Sequence, residues 1–414
     1  MKHFYSRKTP ARVLPVLLLF ILLLAAVPTR AEEAANLSAG CTVKVVDSKH
    51  GSAKSLTDGK YTSYWESSSR KNPWVTISAR EPVYGLYLCF QKKPAAYAIQ
   101  VKSGSGWTTV AEGGSIPYHH VFFELDGAKN IRILSTAEGK SIMGFNDIFV
   151  FGEGEIPSWV QRWDPPVKKA DLLIFVTHPD DEQLFTGGAI PTYAVEKGKS
   201  VQVLYFTESN KTRRSEALNG LWAMGVRNYP EFGPFGDAYP ETGLMKDSYG
   251  KAGGRQKVYE WLVEVFRKYQ PEVVVTHAEN GEYGHPQHKM VADAAKACVP
   301  LAADAAEFPD SAAAYGAWQV KKLYLHSHEH KEGQTVLDWE QPLSAFGGKT
   351  GREVAAEGFA MHVTQIGKGE RTKKGVIPFE VETTGPKYFY DRFDLYFSAV
   401  GEDEAKNDFL EHIE

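Results

Sequence analysis

"DLLIFVTHPDDE", Asp171 to Glu182, sets an apolar run directly against His178, Asp180, Asp181 and Glu182. Leu172 to Val176 is apolar at every position. A strand without alternation has both faces covered, as in the parallel sheets of α/β proteins. The pattern continues downstream. "GGAIPTYAVEKG" reads as helix, "SVQVLYFTES" as strand, and "TRRSEALNGLWAMGV" and "RQKVYEWLVEVFRKYQ" as helices, the last with Trp261, Val265 and Phe266 on one face. "EVVVTHAE" is a further buried strand, "HKMVADAAKACV" a helix and "KKLYLHSH" a strand. Strands alternating with helices predict an α/β, Rossmann-like unit with a mainly parallel sheet over 169–414.

Upstream the period changes. Residues 38–153 consist of short β-type runs such as "PWVTISA", "VYGLYLCF", "KNIRILS" and "FNDIFVFG", separated by turn residues. They predict an all-β sandwich, so the fold class is multidomain. The segment 154–168, with Pro165 and Pro166 in tandem, reads as a stiff linker. The N-terminus is basic (Lys2, Arg7, Lys8, Arg12), then apolar from Val13 to Val27, then small at Ala31. This is expected to be a signal peptide over 1–31, sending the chain out of the cell or to its surface. An uncleaved anchor is the alternative, although the run is shorter than a bilayer span.

The chain carries 47 Lys and Arg against 51 Asp and Glu, a net charge of −4. The first 31 residues hold five basic residues and no acid, so their removal would leave −9. That balance argues against nucleic acid or an anionic membrane as partner. Three cysteines are too few for a disulfide scaffold; Cys41 and Cys89 read equally as a pair or as two buried thiols, and Cys298 as core.

Open α/β sheets bind ligands beyond the carboxyl ends of their strands. His178, Asp180 and Asp181 follow one strand, Glu208 a second and His277 a third, beyond which "NGEYGHPQHKM" brings His285 and His288. Two imidazoles and a carboxylate with an open position are a catalytic metal set, and nitrogen and oxygen ligands suit zinc. His178 and Asp181 can turn to one point with Asp180 beside it, and only one of His285 and His288 need be a ligand. The plainer readings are a helix-capping turn for the Asp pair and a solvated strand end for His326, His328 and His330.

Two resemblances follow from these residues. "SLTDGKYTSYWESS", "WVTISAREPVYGLYLCF" and "GFNDIFVFGEGE" resemble the discoidin, galactose-binding-like jelly rolls. The resemblance implies a ligand site in the end loops, where Tyr64, Trp65 and Trp74 would stack on sugar unless they are core. "THPDDE", "RRSEA", "GEYGHPQH" and "AMHVTQ" resemble the LmbE-like/PIG-L family of N-acetylglucosaminyl de-N-acetylases. That resemblance implies His178, Asp181 and His288 as ligands of Zn2+, with another divalent ion such as Fe2+ as the alternative. It implies Asp180 as general base and His285 as the residue that polarises the carbonyl or, protonated, feeds the leaving amine; attack on an acetamide builds an oxyanion, for which His285 or the Tyr283 hydroxyl is a donor unless Tyr283 merely packs. Arg213, supported by Glu216, and His362 are implied as substrate-binding. Gln287 and Thr364 depart from the family's usual Asp and Ser. The expected partner is an N-acetylated glycan. Competing expectations are a non-enzymatic surface lectin and an iron enzyme built on a 2-His-1-carboxylate triad.

Overall fold

The computed structural model describes residues 32–60, 62–114, 118–365 and 391–413. The signal-peptide segment lies outside them. Among the described residues no helix is long and apolar enough to cross a membrane.

The first half is built on two long antiparallel strands, β2 (Trp74–Phe90) and β5 (His120–Ser135). Around them lie β1 (Thr42–Val45), β3 (Tyr97–Ser103), β4 (Gly106–Gly113) and β6 (Gly144–Phe151). The β2–β5 register slips between Ser78 and Val83 and again before Gly85. Before the slip β2 also pairs with β1, and after it with β6. The sheet therefore folds over on itself at the irregularity and closes around Val75, Ile77, Leu86, Leu88, Ile131, Ile133 and Ile148. Trp65 is fully buried in this core, its indole N–H donating to the Asp47 carbonyl, so it cannot stack on a ligand. Trp74 and Tyr64 are half-buried. All three cysteines are free thiols, and Cys298 is buried.

Under the sandwich, Tyr87 Oη lies 2.6 Å from His120 Nδ1. Burial, with a smaller push from Arg214, holds this imidazole down to about 3. An unfolded histidine titrates near 6.5, so between these values the unfolded chain binds a proton that the folded chain refuses. Stability is then present above pH ~6.5 and falls with acidification at about 1.4 kcal/mol per pH unit from this group. A His120→Gln variant should show a pH slope shallower by one proton in denaturant unfolding between pH 4 and 6.

The second half is an α/β sheet ordered β9-β8-β7-β10-β11-β13-β12. The strands are β7 (Leu172–Val176), β8 (Val201–Tyr205), β9 (Glu231–Phe232), β10 (Val273–Thr276), β11 (Lys322–His326), β12 (Thr335–Val336) and β13 (Arg392–Ser398). β7 to β11 pair in parallel; β13 runs antiparallel to β11 and β12. The apolar run of β7 serves two cores. Leu172, Ile174 and Val176 meet α2 (Lys211–Ala223) and α5 (Gly351–Phe359) on one face. Leu173 and Phe175 meet α3 (Arg255–Tyr269) and α4 (Pro286–Ala303) on the other. The chain moves from β7 to β8 on one side and later to β10 on the other. Their carboxyl ends therefore form a topological switch point, where a crevice opens.

The linker is packed rather than free. Trp163 enters the α/β core, Gln161 donates to Asn219, and Trp222 donates to the Ser158 carbonyl. Across the two halves Tyr118 stacks on Tyr229 at 4.6 Å.

Candidate active site

The switch point gathers side chains from three stretches of sequence. After β7 the chain turns into α1 (Asp181–Thr186), and the Asp181 carboxylate accepts from the His178 backbone N–H at 2.7 Å. After β10 a glycine-containing loop delivers His285 as the N-cap of α4 and His288 in its first turn. His178 Nδ1, His288 Nε2 and Asp181 Oδ2 then form a nearly equilateral triangle with sides of 3.2, 3.2 and 3.3 Å. Tetrahedral ligands about 2.0–2.1 Å from one ion stand about 3.3–3.4 Å apart. The three atoms fit a divalent ion.

Hydrogen bonds fix the tautomers that this requires. His178 Nε2 lies 3.0 Å from Gln287 Oε1 and 3.3 Å from Asp237 Oδ1, both acceptors, so Nδ1 carries the lone pair. His288 Nδ1 donates to Glu282 Oε2 at 2.9 Å, which frees Nε2. Burial works to depress His178, but the Asp181 and Asp237 carboxylates outweigh it and lift the imidazole to about 10. A field that holds a proton there also attracts a metal cation. Two other groupings have ligand atoms within 4.8 Å of one another: His178 with His285 and His288, and Asp181 with His277 and His288. His277 Nε2 already accepts the Thr177 backbone N–H, and His285 Nδ1 accepts that of Gln287. The tight triangle is the better ligand set.

Glu282 organises the cluster from behind. Beyond His288, its carboxylate accepts from the Ala278 backbone at 2.8 Å and stands 3.2 Å from both His277 Nδ1 and His326 Nδ1. Burial alone would raise it, but His277 and the bonds from three imidazoles hold it well below the carboxylate range. Neither Glu282 nor Asp237 was singled out from the sequence. The acid within "NGEYGH" was visible, but Asp237 sits in an irregular loop with no motif. His326 is fully buried at the end of β11, against the solvated reading; the strand stops there, and beyond it His328 is half-buried and His330 exposed. Outer-shell partners of this kind are worth about 10–100-fold in metal affinity. A Glu282→Gln variant should lose that much in competition with a chelating dye.

Asp180 lies outside the triangle. It takes a left-handed φ of 118°, a conformation that costs a non-glycine residue about 1–3 kcal/mol and clusters at functional sites. Its backbone N–H donates to Glu182 Oε2 at 2.9 Å, so Glu182 serves the loop rather than a ligand histidine. Arg213 Nη2 donates to Asp180 Oδ1 at 2.5 Å and to the Pro179 carbonyl. Burial and Asp181 raise Asp180, and Arg213 opposes them; the carboxyl stands well above its ordinary value.

The remaining expected residues separate. Arg213 faces the site but is engaged with the base, a position different from one that grips only substrate. Glu216 is buried and accepts from the backbone N–H and hydroxyl of Thr364, at 2.8 and 2.6 Å. These two bonds anchor the "AMHVTQ" turn, and Thr364 keeps the hydroxyl of the usual Ser. His362 is fully buried, packed on Phe359, with its Nε2 3.8 Å from Glu182. Burial and the neighbouring Arg213 hold it down to about 3. Tyr283 is 56% exposed at the mouth, its ring 5.8 Å from that of His285. His285 itself is pushed down to about 3 by burial, then by His288 and His178. The protonated form expected for feeding the amine is therefore disfavoured. Because Nδ1 accepts a backbone N–H, the neutral ring carries its proton on Nε2 and can donate from there.

A mainly parallel sheet whose switch point gathers two imidazoles and a carboxylate that could hold a metal, with the Arg213-bound Asp180 carboxylate beside them, defines the site of this α/β domain. Residues 173–299 match the family model for GlcNAc-PI de-N-acetylase, PIG-L. Within the α/β half, residues 173–299 thus carry the likeness to the PIG-L/LmbE-like deacetylases. The chain is similar to the 1D-myo-inositol 2-acetamido-2-deoxy-alpha-D-glucopyranoside deacetylase 1 of Catenulispora acidiphila, 31% identical over 185 residues. That match covers 38% of this chain and 56% of the relative, so the chain spans little more than half the relative's length. Among solved structures it is similar to the N,N'-diacetylchitobiose deacetylase of Pyrococcus horikoshii, at 16% identity and TM-score 0.38, over 56% of this chain and 86% of that one. It is also similar to the galactose-bound family 32 carbohydrate-binding module of C. perfringens NanJ, at 15% identity and TM-score 0.26, over 28% of this chain and 98% of that one.

Proposed function

We propose that this chain is an exported, metal-dependent hydrolase that cleaves the acetamide of an N-acetylglucosamine-type sugar to free amine and acetate. The sandwich would serve it as a carbohydrate-binding module. The observation that carries the reading is the triangle of His178, Asp181 and His288 with Asp180 beside it, outside the triangle and held by Arg213. The family match over the same loops supports it.

A divalent ion held by these three residues, zinc on the donor set, would supply Lewis acidity, acidifying water and polarising the acetamide carbonyl. The protein's own groups do the rest. Asp180, aimed by Arg213 and made more basic by burial, accepts the proton of the attacking water. Neutral His285 donates from Nε2 toward the oxygen on which charge develops, and Tyr283 stands at the same mouth as a second donor. The proton on Asp180 is then available to the departing nitrogen, so a single carboxyl can serve as base and acid.

The test is acetate release from N-acetylated chito-oligosaccharides by the full chain, loaded with zinc and after chelation. Acetate from the loaded protein alone supports the reading. Glycan binding without acetate from any loaded form would instead favour the lectin. Export is checked by the mature N-terminus: a chain beginning at Glu32 supports cleavage after Ala31, and one retaining Met1 contradicts it.

A further inference from the structure

The two halves enclose a cleft of about 650 Å³ for which the chemistry above has no use. Lys92 and Lys93 reach it from the sandwich, and Lys211 and Arg214 from the first turn of α2. Tyr229 and Phe232 supply apolar lining. Domain junctions of this kind are common ligand sites.

Charge distinguishes this cleft. Its lining holds five Lys and Arg against two Glu, on a chain whose net charge is −4. Lys92 pairs with Glu66 at 2.6 Å, Arg214 with Glu208 at 2.9 Å and Lys268 with Glu231 at 2.6 Å. Lys93 and Lys211 have no ion-pair partner among the described residues.

The sequence of α2 also breaks a local rule. Its first turn carries Lys211, Arg213 and Arg214 and no acid, although the amino end of a helix repels cations. Arg213 serves Asp180 and Arg214 serves Glu208, while Lys211 feels the field of Glu66 and Glu208 without closing an ion pair on either. Burial, then Lys92 and Arg214, pushes the Lys211 ammonium below its ordinary value, and Glu66 and Glu208 offset this only in part. An anion between these cations would relieve their repulsion. Arg214, which lines the cleft, and Arg213, which holds the base, lie on the same helix.

We propose that this cleft binds an anionic group, a carboxylate or a phosphate, carried by the glycan whose acetamide reaches the ligand triangle. The inference rests on the proposed deacetylation and narrows its substrate class to acidic N-acetylated glycans. The aromatic lining would accept a sugar ring, and the Lys93 and Lys211 ammonium groups would pair with its charge.

The full chain is titrated calorimetrically with three oligosaccharides: neutral N-acetylated chitotetraose, one alternating N-acetylglucosamine with a uronic acid, and one bearing phosphate. An anionic sugar should bind roughly tenfold or more tightly than the neutral one, with a preference that shrinks as salt rises. Whichever anionic arm shows the preference identifies the group. Combining Lys93→Ala with Lys211→Ala should abolish the preference and leave acetate release from chitotetraose unchanged. Equal affinity for all three sugars, or a preference that survives in the double variant, overturns the proposal. Because heat reports binding without turnover, an anionic sugar that binds but is not hydrolysed would count against the deacetylase reading and not against the cleft.

Discussion

Replacing His288 with alanine should remove the bound metal and acetate release together, with turnover falling to the background rate. His288 is fully buried, and its two nitrogens do different work. Nε2 closes the triangle with His178 and Asp181, while Nδ1 donates to Glu282. The substitution removes a ligand and also strips a donor from a buried carboxylate. The affinity loss should therefore exceed the 10–100-fold expected of an outer-shell change. His178→Ala should behave alike, since its Nδ1 is a second corner. Metal content by elemental analysis, read beside acetate release, checks both. Either variant retaining full metal and full activity would show that the ligands lie elsewhere.

Asp180→Asn should separate the two losses. Asp180 contributes no corner to the triangle, so the variant should keep its metal while kcat falls by about 10²–10⁴-fold, the usual worth of a general base. The pH profile gives a second readout. Burial and Asp181 raise the Asp180 carboxyl, so acidification protonates it and the rate drops on the acid side. That limb should disappear from the Asn variant. Arg213 pulls in the other direction, favouring the ionised form, so Arg213→Gln should move the acid limb to higher pH. A structural role alone would leave the limb in place.

The sequence exposed those parts of the fold and site that short-range chemistry encodes. The apolar run before His178 requires a strand covered on both faces, and the structure divides its residues between two helical layers. "HPDDE" and "HPQH" were readable because each clusters its groups within a few residues, the first at the end of a strand and the second at the start of a helix. What was not readable depends on distant contacts. Asp237 approaches His178 from an irregular loop between β9 and α3, with no spacing that marks it. The value of Glu282 comes from three imidazoles that arrive from β10, α4 and β11. The solvated reading missed His326 because the strand ends there and the ring turns inward to that same carboxylate. The motif of His362 lies close to the site while its ring packs beneath it. For His285, a protonated form suits an isolated imidazole, but burial beside two others favours the neutral ring.

The most direct measurement is anomalous diffraction at the zinc edge from crystals of the zinc-loaded chain. The expected result is a single strong peak about 2.0–2.2 Å from His178 Nδ1, His288 Nε2 and an Asp181 oxygen, with the Asp180 carboxylate outside bonding distance. A peak centred instead on His277 or His285, or none at the switch point, would contradict the account.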